Sequence, residues 1–319
     1  MKKCLIVCWF GNIPNYYKLW ENSCKNNSDY DFLIFTDQEI SSDVKNIKII
    51  NISLREIKRL IENKLNIKTK FSKSYKMCDF RPAFGVIFNK YLKGYDYWGH
   101  CDMDLVFGKI SDFLPDKKIS KYEKINHNGH FVLYKNTKKI NNLFREKGAI
   151  FDWVKVFCSE ENYAFDEFTG INKIVKKNNI SQYSSDGFID LDRRYSRYRA
   201  INHKNWKNQI FVLEHGCINR YIYENKIIKK EDSFYYLHFQ KKNPNIVKNI
   251  DYNKKIAMGR NKFANIDEIT VNSFKEFNPS KNHILEEIEL FKYYCYKVVE
   301  FVRSSKVEKK IKIKQKGLL

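Results

Sequence analysis

Two aspartates separated by one residue, Asp102 and Asp104, have the types and spacing that most directly suggest chemistry in this chain. The aromatic run before them predicts a strand, and alternate residues on a strand share a face. Where the backbone turns at the end of that strand, both carboxylates can converge on one hard cation. Mg²⁺ or Mn²⁺ held in this way also binds diphosphate oxygens and neutralises a leaving nucleotide. An isolated Asp-x-Asp pair is usually a solvated surface feature, so the surrounding sequence has to support the metal interpretation.

The sequence before the pair predicts alternating strands and helices. A capping box at Ser53 and Glu56 predicts the start of a helix, and residues 72–92 predict another helical region that Pro82 interrupts. Alternation of this kind favours an α/β sheet with parallel strands. Three apolar runs predict the first strands: residues 4–10, 31–37 and 46–52.

The sequence from residue 95 onward predicts further strands and one more helix of interest. Residues 95–108 predict the strand that delivers the two aspartates, and residues 165–176 predict a helix that opens at Asp166 and Glu167. Further strands are expected at residues 131–134, 211–213 and 234–239.

Six short motifs are weak singly and specific as a set. They are residues 75–82 (YKMCDFRP), 94–100 (GYDYWGH), 102–108 (DMDLVFG), 129–136 (GHFVLYKN), 165–167 (FDE) and 236–241 (YLHFQK). Together they resemble the GT-A-type glycosyltransferases, in particular an uncharacterised bacterial family found in capsule and lipopolysaccharide biosynthesis clusters. The resemblance covers about residues 1–245 and implies a GT-A-like nucleotide-sugar-binding sheet flanked by helices. Residues 246–281 are then expected to form a polar connecting segment, and residues 282–319 an amphipathic helix with a basic tail.

The resemblance also implies roles for individual residues in a metal-dependent transfer of sugar from a nucleotide-sugar to a surface glycan. Asp102, Asp104 and His238 would hold Mn²⁺ or Mg²⁺. Asp166 or Glu167 would face the acceptor hydroxyl as general base. The donor would be bound by Phe10, Gly11, Asn12, Lys76, Asp79, Arg81, Asp102, Gly129, His130 and Lys241.

Each of these assignments competes with an ordinary structural interpretation. Lys76 and Arg81 also fit a solvated helix face, and a single histidine such as His238 is most often structural. Acids at the start of a helix are common partners of its dipole, which applies to Asp166 and Glu167. An Arg- and Tyr-rich stretch at residues 190–199 suits either acceptor binding or an exposed strand or loop.

Two other classes of protein fit parts of the sequence. Residues 102–106 satisfy the Asp-x-Asp-x-[Thr/Val] pattern of haloacid-dehalogenase-type phosphatases, but there the first Asp is a nucleophile on the first strand of the core, whereas here three predicted strands and a capped helix precede the pair. The net charge of +22 suits a nucleic-acid-binding protein. The chain has no helix-turn-helix, zinc-finger or RNP signature, so no nucleic acid partner is expected.

The C-terminal segment suggests where the enzyme acts. An apolar stripe at helical spacing precedes residues 303–316, which carry seven basic residues against the single acid Glu308. Residues 284–319 therefore suit a helix lying on an anionic membrane, and the alternative is a helix packed on its own domain or on a second copy. With a lipid-linked glycan as acceptor, the expected location is the cytoplasm, peripheral on the inner face of the cell membrane. The stripe comprises Ile284, Ile288, Phe291, Cys295, Val298 and Val302.

Overall fold

The computed structural model describes residues 1–192, 197–240, 245–246, 250–260 and 262–278, and the single positions 288, 291, 292, 294, 295 and 298. Its strands are β1 (Lys3–Trp9), β2 (Tyr30–Thr36), β3 (Ile47–Asn51), β4 (Tyr97–Cys101), β5 (Leu105–Phe107), β6 (Lys124–Ile125), β7 (Phe131–Lys135), β8 (Gln182–Tyr183), β9 (Phe188–Asp192), β10 (Arg197–Ala200), β11 (Gln209–Glu214), β12 (Cys217–Glu224), β13 (Ile227–Phe234), β14 (Tyr236–His238), β15 (Asn245–Ile246), β16 (Lys255–Met258) and β17 (Lys262–Ile266). Its helices are α1 (Tyr17–Lys25), α2 (Leu54–Leu65), α3 (Met77–Phe80), α4 (Phe84–Ile87), α5 (Ile110–Phe113), α6 (Asp116–Ile119), α7 (Lys138–Asn141), α8 (Trp153–Phe157), α9 (Ile171–Lys177) and α10 (Val271–Phe277).

The main sheet has the strand order β3-β2-β1-β4-β7-β6-β8. Strands β3, β2, β1 and β4 are parallel, and β7 runs antiparallel to β4. Both faces of β1 are buried: Leu5 and Val7 pack into one apolar core, and Cys4 and Ile6 pack into another. A strand buried on both faces must be apolar throughout, which explains the uninterrupted run at the N-terminus. The prediction of an α/β fold is confirmed.

The strand order contains a switch point between β1 and β4. From β1 the chain moves to β2 and β3 on one side, and it then returns to place β4 on the other side of β1. Connections therefore leave the carboxyl ends of β1 and β4 in opposite directions and open a crevice between them. Ligands of open α/β sheets bind in such crevices.

The predicted strand at residues 95–108 is two strands in two sheets. β4 belongs to the main sheet, whereas β5 pairs with β14 in a second sheet of order β10-β9-β14-β5. Asp102 and Asp104 lie in the bend between β4 and β5. The two carboxylates therefore converge because the chain changes sheets, and the strand periodicity has no part in it.

Two predicted helical regions differ from the structure. Residues 72–92 form short α-helices and 3₁₀ turns, with Pro82 in the 3₁₀ turn Arg81–Ala83, because proline cannot donate the backbone hydrogen bond that a continuous helix needs. The helix expected at residues 165–176 begins only at Ile171, after Gly170. Asp166 and Glu167 consequently lie in the turn before α9, so the helix-dipole interpretation of these acids does not hold.

The segment predicted to be a polar connection, residues 246–281, contains strands and a helix. β16 pairs with β11, and β17 pairs with β16, in a third sheet of order β13-β12-β11-β16-β17-β15. Phe274 and Phe277 of α10 are buried against this sheet. Because β11 lies before residue 245 and pairs with β16, which lies after it, one sheet is shared by the segments on either side of the predicted boundary at residue 245.

The described residues contain no helix that is long and apolar enough to cross a bilayer. In the C-terminal segment, the described positions 288, 291, 295 and 298 are helical and exposed, and Phe291 has a relative exposure of 69%. These positions belong to the predicted apolar stripe. Residues 301–319 lie outside the described part of the chain.

Candidate active site

A cleft opens at the switch point between β1 and β4. One part is lined by residues at the carboxyl ends of the two strands, among them Trp9, Phe10 and Asp102, and by Tyr75 and Arg81 from the region before α4. The adjoining part has a volume of about 310 Å³ and is lined by Tyr75, Cys78, Arg81, Asp102, Asp104, Gly129, His130, Asn162, Ala164, Asp166, Glu167, His238 and Gln240. Residues predicted from five separate motifs thus share one cleft.

Backbone hydrogen bonds hold the Asp-x-Asp bend between the two sheets. The Asp102 N–H donates to the carbonyl of His130 at 2.9 Å, and the Phe239 N–H donates to the carbonyl of Asp104 at 3.1 Å. Asp104 is 2% exposed, and its Oδ1 has no hydrogen-bond partner among the described residues. A buried carboxylate oxygen without a partner is costly unless a cation or another donor satisfies it.

The three predicted metal ligands come together at this bend. His238 Nε2 lies 3.5 Å from Asp104 Oδ2, and Asp102, Asp104 and His238 each offer a ligand atom within 4.8 Å of the other two. Burial by itself lowers the pKa of His238, but Asp104 and Asp190 outweigh it and raise the pKa to about 10. The carboxylates therefore favour positive charge at this point. Oxygen and imidazole ligands suit Mn²⁺ or Mg²⁺, so the residues present fit the implied metal.

A second group of potential ligands, His130, Asp190 and His238, also lies within 4.8 Å. The rings of His130 and His238 are stacked, with centroids 4.5 Å apart and planes at 21°. An imidazole nitrogen binds a metal in the plane of its ring, and two nearly parallel stacked rings cannot both direct a lone pair at the same ion. Burial lowers the pKa of His130 to about 3, so this ring is neutral. Of the two groups, the one at the bend has the better geometry for a cation.

Arg81 links the two sides of the cleft. Its Nη1 donates to Asp166 Oδ2 and to the carbonyl of Gly129, both at 3.0 Å, and its Nη2 donates to Asp102 Oδ1. The guanidinium is thus held at the edge of the cleft between the Asp-x-Asp bend and the turn before α9. A planar cationic fork in this position suits a diphosphate.

Asp166 and Glu167 have different surroundings although they are neighbours in sequence. Burial raises the pKa of Asp166 to about 7, Arg81 opposes the rise, and Glu167 adds to it. Glu167 accepts a hydrogen bond from the Gly129 N–H. A Cβ at Gly129 would lie 2.7 Å from Glu167 Oε1, so only glycine allows this close approach. The pKa of Asp166 therefore lies near neutrality, whereas Glu167 binds the backbone of the Gly129 loop.

Lys76 and Asp79 are not in the cleft, contrary to the prediction that they bind the donor. They form a buried ion pair at 2.8 Å, and Lys76 also donates to the carbonyls of Val156 and Glu161. Asp79 accepts the N–H groups of Tyr163 and Phe165. With these hydrogen bonds made, the pair fixes the loop that ends at Asp166. The Lys76–Asp79 pair therefore neither contacts the donor cleft nor forms a solvated helix face.

The remaining predicted donor residues have mixed positions. Phe10 and His130 line the cleft, whereas Gly11 and Asn12 are exposed beyond it. The Gly11 N–H donates to Asp37 Oδ1 at 2.9 Å. Lys241 lies outside the described residues.

Tyr75 and Cys78 line both parts of the cleft, although the sequence prediction did not assign them a role. Their neighbours Lys76 and Asp79 were predicted in their place. A signal was present in the periodicity: in a helical turn Cys78 and Arg81, three residues apart, share a face, and Tyr75 precedes Cys78 by the same interval.

The haloacid-dehalogenase alternative does not match the position of the acid pair. In those phosphatases the first Asp is on the first strand of the core, whereas Asp102 follows β4, the fourth strand of this chain. Asp102, the required nucleophile, also accepts a hydrogen bond from Arg81.

The model of a family of unknown function (DUF6625) matches residues 5–267. A crystal structure of the galactosyltransferase LgtC in complex with donor and acceptor sugar analogues aligns with a TM-score of 0.34 and 10% identity, over 59% of this chain and 75% of LgtC. An active-site mutant of LgtC aligns with a TM-score of 0.33 and 11% identity over the same shares. No curated protein matches the chain in sequence.

Proposed function

We propose that this chain, which belongs to the DUF6625 family of unknown function, is a GT-A-type, metal-dependent glycosyltransferase. It transfers a sugar from a nucleotide-diphosphate sugar to a glycan or lipid-linked glycan, with capsule or lipopolysaccharide as the surface glycan. The observation that carries the proposal is the meeting of Asp102, Asp104, His238 and Arg81 at the switch point, across the cleft from Asp166.

The donor is proposed to lie along the cleft with its diphosphate at the bend. A divalent cation bound by Asp102, Asp104 and His238 would neutralise charge on the departing nucleoside diphosphate. Arg81 can add a second positive charge on the side of Asp166. Trp9, Phe10 and Tyr75 surround the other part of the cleft, where aromatic faces suit a nucleotide base.

Transfer requires a base for the acceptor hydroxyl, and Asp166 is proposed for this role. The acceptor oxygen forms a bond to the anomeric carbon while the bond from that carbon to the diphosphate oxygen breaks. The nucleoside diphosphate leaves with the electron pair, and Asp166 takes the hydroxyl proton. A carboxyl with a pKa of about 7 is well matched to proton transfer near neutral pH.

The C-terminal segment is proposed to bring the enzyme to its acceptor at the cytoplasmic face of the membrane. Apolar positions such as Ile288, Phe291 and Val298 are exposed, and a strongly basic stretch follows them. This combination favours an anionic lipid surface over packing on the chain's own domain.

The decisive experiment is a screen of nucleotide-sugars for hydrolysis with and without Mn²⁺. Hydrolysis is transfer of the sugar to water, so the assay can be run before the acceptor is identified. We expect one class of donor to be hydrolysed only when the metal is present. Asp104→Asn is the matched control, since it removes one ligand charge and keeps the size of the side chain. The proposal is wrong if no donor is turned over or bound in the presence of Mn²⁺ while the protein is folded.

A further inference from the structure

We infer that Asp190 is a positioning residue that holds His238 in the orientation and tautomer needed for metal binding. The inference rests on the metal site of the proposed function. It assigns a role to a residue that is remote in sequence from each of the three ligands and that the cation itself need not touch.

The two ring nitrogens of His238 face different carboxylates. Nδ1 lies 3.2 Å from Asp190 Oδ1, within ion-pair distance but without the geometry of a hydrogen bond, and Nε2 lies 3.5 Å from Asp104 Oδ2. A carboxylate close to Nδ1 favours the proton on that nitrogen, so in the neutral ring that binds a metal the lone pair is on Nε2. That lone pair then points to the side on which Asp102 and Asp104 offer their oxygens.

Strand pairing places Asp190 next to His238. β9 and β14 are parallel neighbours, and His238 is in register with Asp190. On the opposite side of β14, His238 is in register with Leu105, directly after the Asp-x-Asp bend. The histidine therefore lies between the strand that holds it and the strand that follows the bend, which sets the direction of its ring.

Asp190 is itself held in place. Its Oδ1 accepts the Leu191 N–H at 2.7 Å and the Gln240 side-chain amide at 2.8 Å. The stacked ring of His130 limits the tilt of the His238 ring. Asp190 Oδ1 thus already accepts two hydrogen bonds, one from its own strand and one from Gln240. A carboxylate fixed in this way is better suited to orient the histidine than to bind the metal.

The expected consequence is a loss of metal affinity without a loss of fold. Removing a carboxylate that orients a metal-bound histidine weakens metal binding by about 10–100-fold. Asp190→Asn keeps an oxygen acceptor and loses the charge, so we expect a decrease near the lower end of that range, about tenfold. Asp190→Ala loses both and should weaken binding further.

The test is a titration of the full chain with Mn²⁺ alone, followed by electron paramagnetic resonance, for the wild type, Asp190→Asn and Asp190→Ala. Asp186→Asn is the matched control, because Asp186 is an exposed acid four positions earlier that does not contact His238. The ¹⁴N modulation of bound Mn²⁺ reports whether an imidazole is still a ligand, and the thermal midpoint of each variant reports its fold.

Weaker Mn²⁺ binding and reduced ¹⁴N modulation in the Asp190 variants, with the control unchanged, is the expected result. If the wild type binds Mn²⁺ and both Asp190 variants bind it equally well, the positioning role is excluded while the proposed function stands. If the wild type binds no Mn²⁺, the metal site and this inference both fail. His130→Phe tests the second group of potential ligands, His130, Asp190 and His238. Loss of Mn²⁺ binding in that variant would make His130 and Asp190 metal ligands and would overturn the positioning role.

Discussion

At the scale of single residues, Oδ1 of Asp104 is the feature most directly tied to a cation, because it is buried and has no hydrogen-bond partner in the described part of the chain. Asp102→Asn and Asp104→Asn should each reduce Mn²⁺-dependent donor turnover by at least about 100-fold, because each removes a charge from a site that stabilises the departing diphosphate. Initial rates at saturating donor measure the loss, and circular dichroism checks the fold. Near-native turnover with unchanged metal dependence in either variant would remove the pair from the metal site.

The raised pKa of Asp166 leads to a prediction about pH. Asp166 accepts a proton only when it is ionised, so kcat/KM should rise with pH up to a plateau above about 7. Asp166→Asn should lose that ascending limb together with the rate, while donor binding persists. A pH profile for the variant that is parallel to that of the wild type would assign the base role to another group.

The proposed role of Asp166 as general base also predicts the stereochemistry of the product. A base that deprotonates the acceptor for direct displacement gives inversion at the anomeric carbon. NMR of the new linkage identifies the anomer, and a retained configuration would exclude the simple base role of Asp166.

At the scale of elements, the loop between α8 and α9 depends on the buried pair of Lys76 and Asp79. Lys76→Met should destabilise the protein by about 3–5 kcal/mol, because it leaves the Asp79 carboxylate buried without its counter-ion. Urea unfolding measures the change in the free energy of unfolding. Lys76→Met combined with Asp79→Asn is the matched control and should regain part of the loss, since an amide oxygen can still accept the N–H groups of Tyr163 and Phe165.

A single-variant effect as small as that of an ordinary surface substitution, about 0.5 kcal/mol, would show that the pair is not structural. In that case the prediction that Lys76 binds the donor would return. A change in donor affinity without a change in stability would support the same conclusion.

At the scale of the whole molecule, the C-terminal basic stretch predicts a membrane-dependent behaviour. Removal of residues 303–319 should lower binding to anionic liposomes, and added salt should lower binding of the full chain, because exposed charges are screened. Turnover of a soluble acceptor should change little. Flotation with phosphatidylserine-containing vesicles measures binding, and neutral vesicles are the control. Equal binding of the truncated and full chains would contradict the membrane role.

The sequence predicted the α/β class and several local elements well. The β1 strand and the capping box of α2 depend on neighbours in sequence: an uninterrupted apolar run and the reciprocal hydrogen bonds of Ser53 and Glu56. It also proposed eight of the thirteen residues that line the part of the cleft around the Asp-x-Asp bend, since motif resemblance does not require knowledge of how the motifs meet. The assigned roles of these residues remain predictions.

Tertiary structure alone decided how those residues are used. Lys76 and Arg81 are equally basic and five positions apart, yet one is buried in a structural ion pair and the other spans the cleft. The sequence could not distinguish these two roles, because each depends on groups from distant segments. Lys76 donates to the carbonyls of Val156 and Glu161, whereas Arg81 donates to the carboxylates of Asp102 and Asp166. Asp190 became the neighbour of His238 only through the pairing of β9 with β14. Local patterns report periodicity and composition, whereas the environment of a charge is set by the residues that folding brings around it.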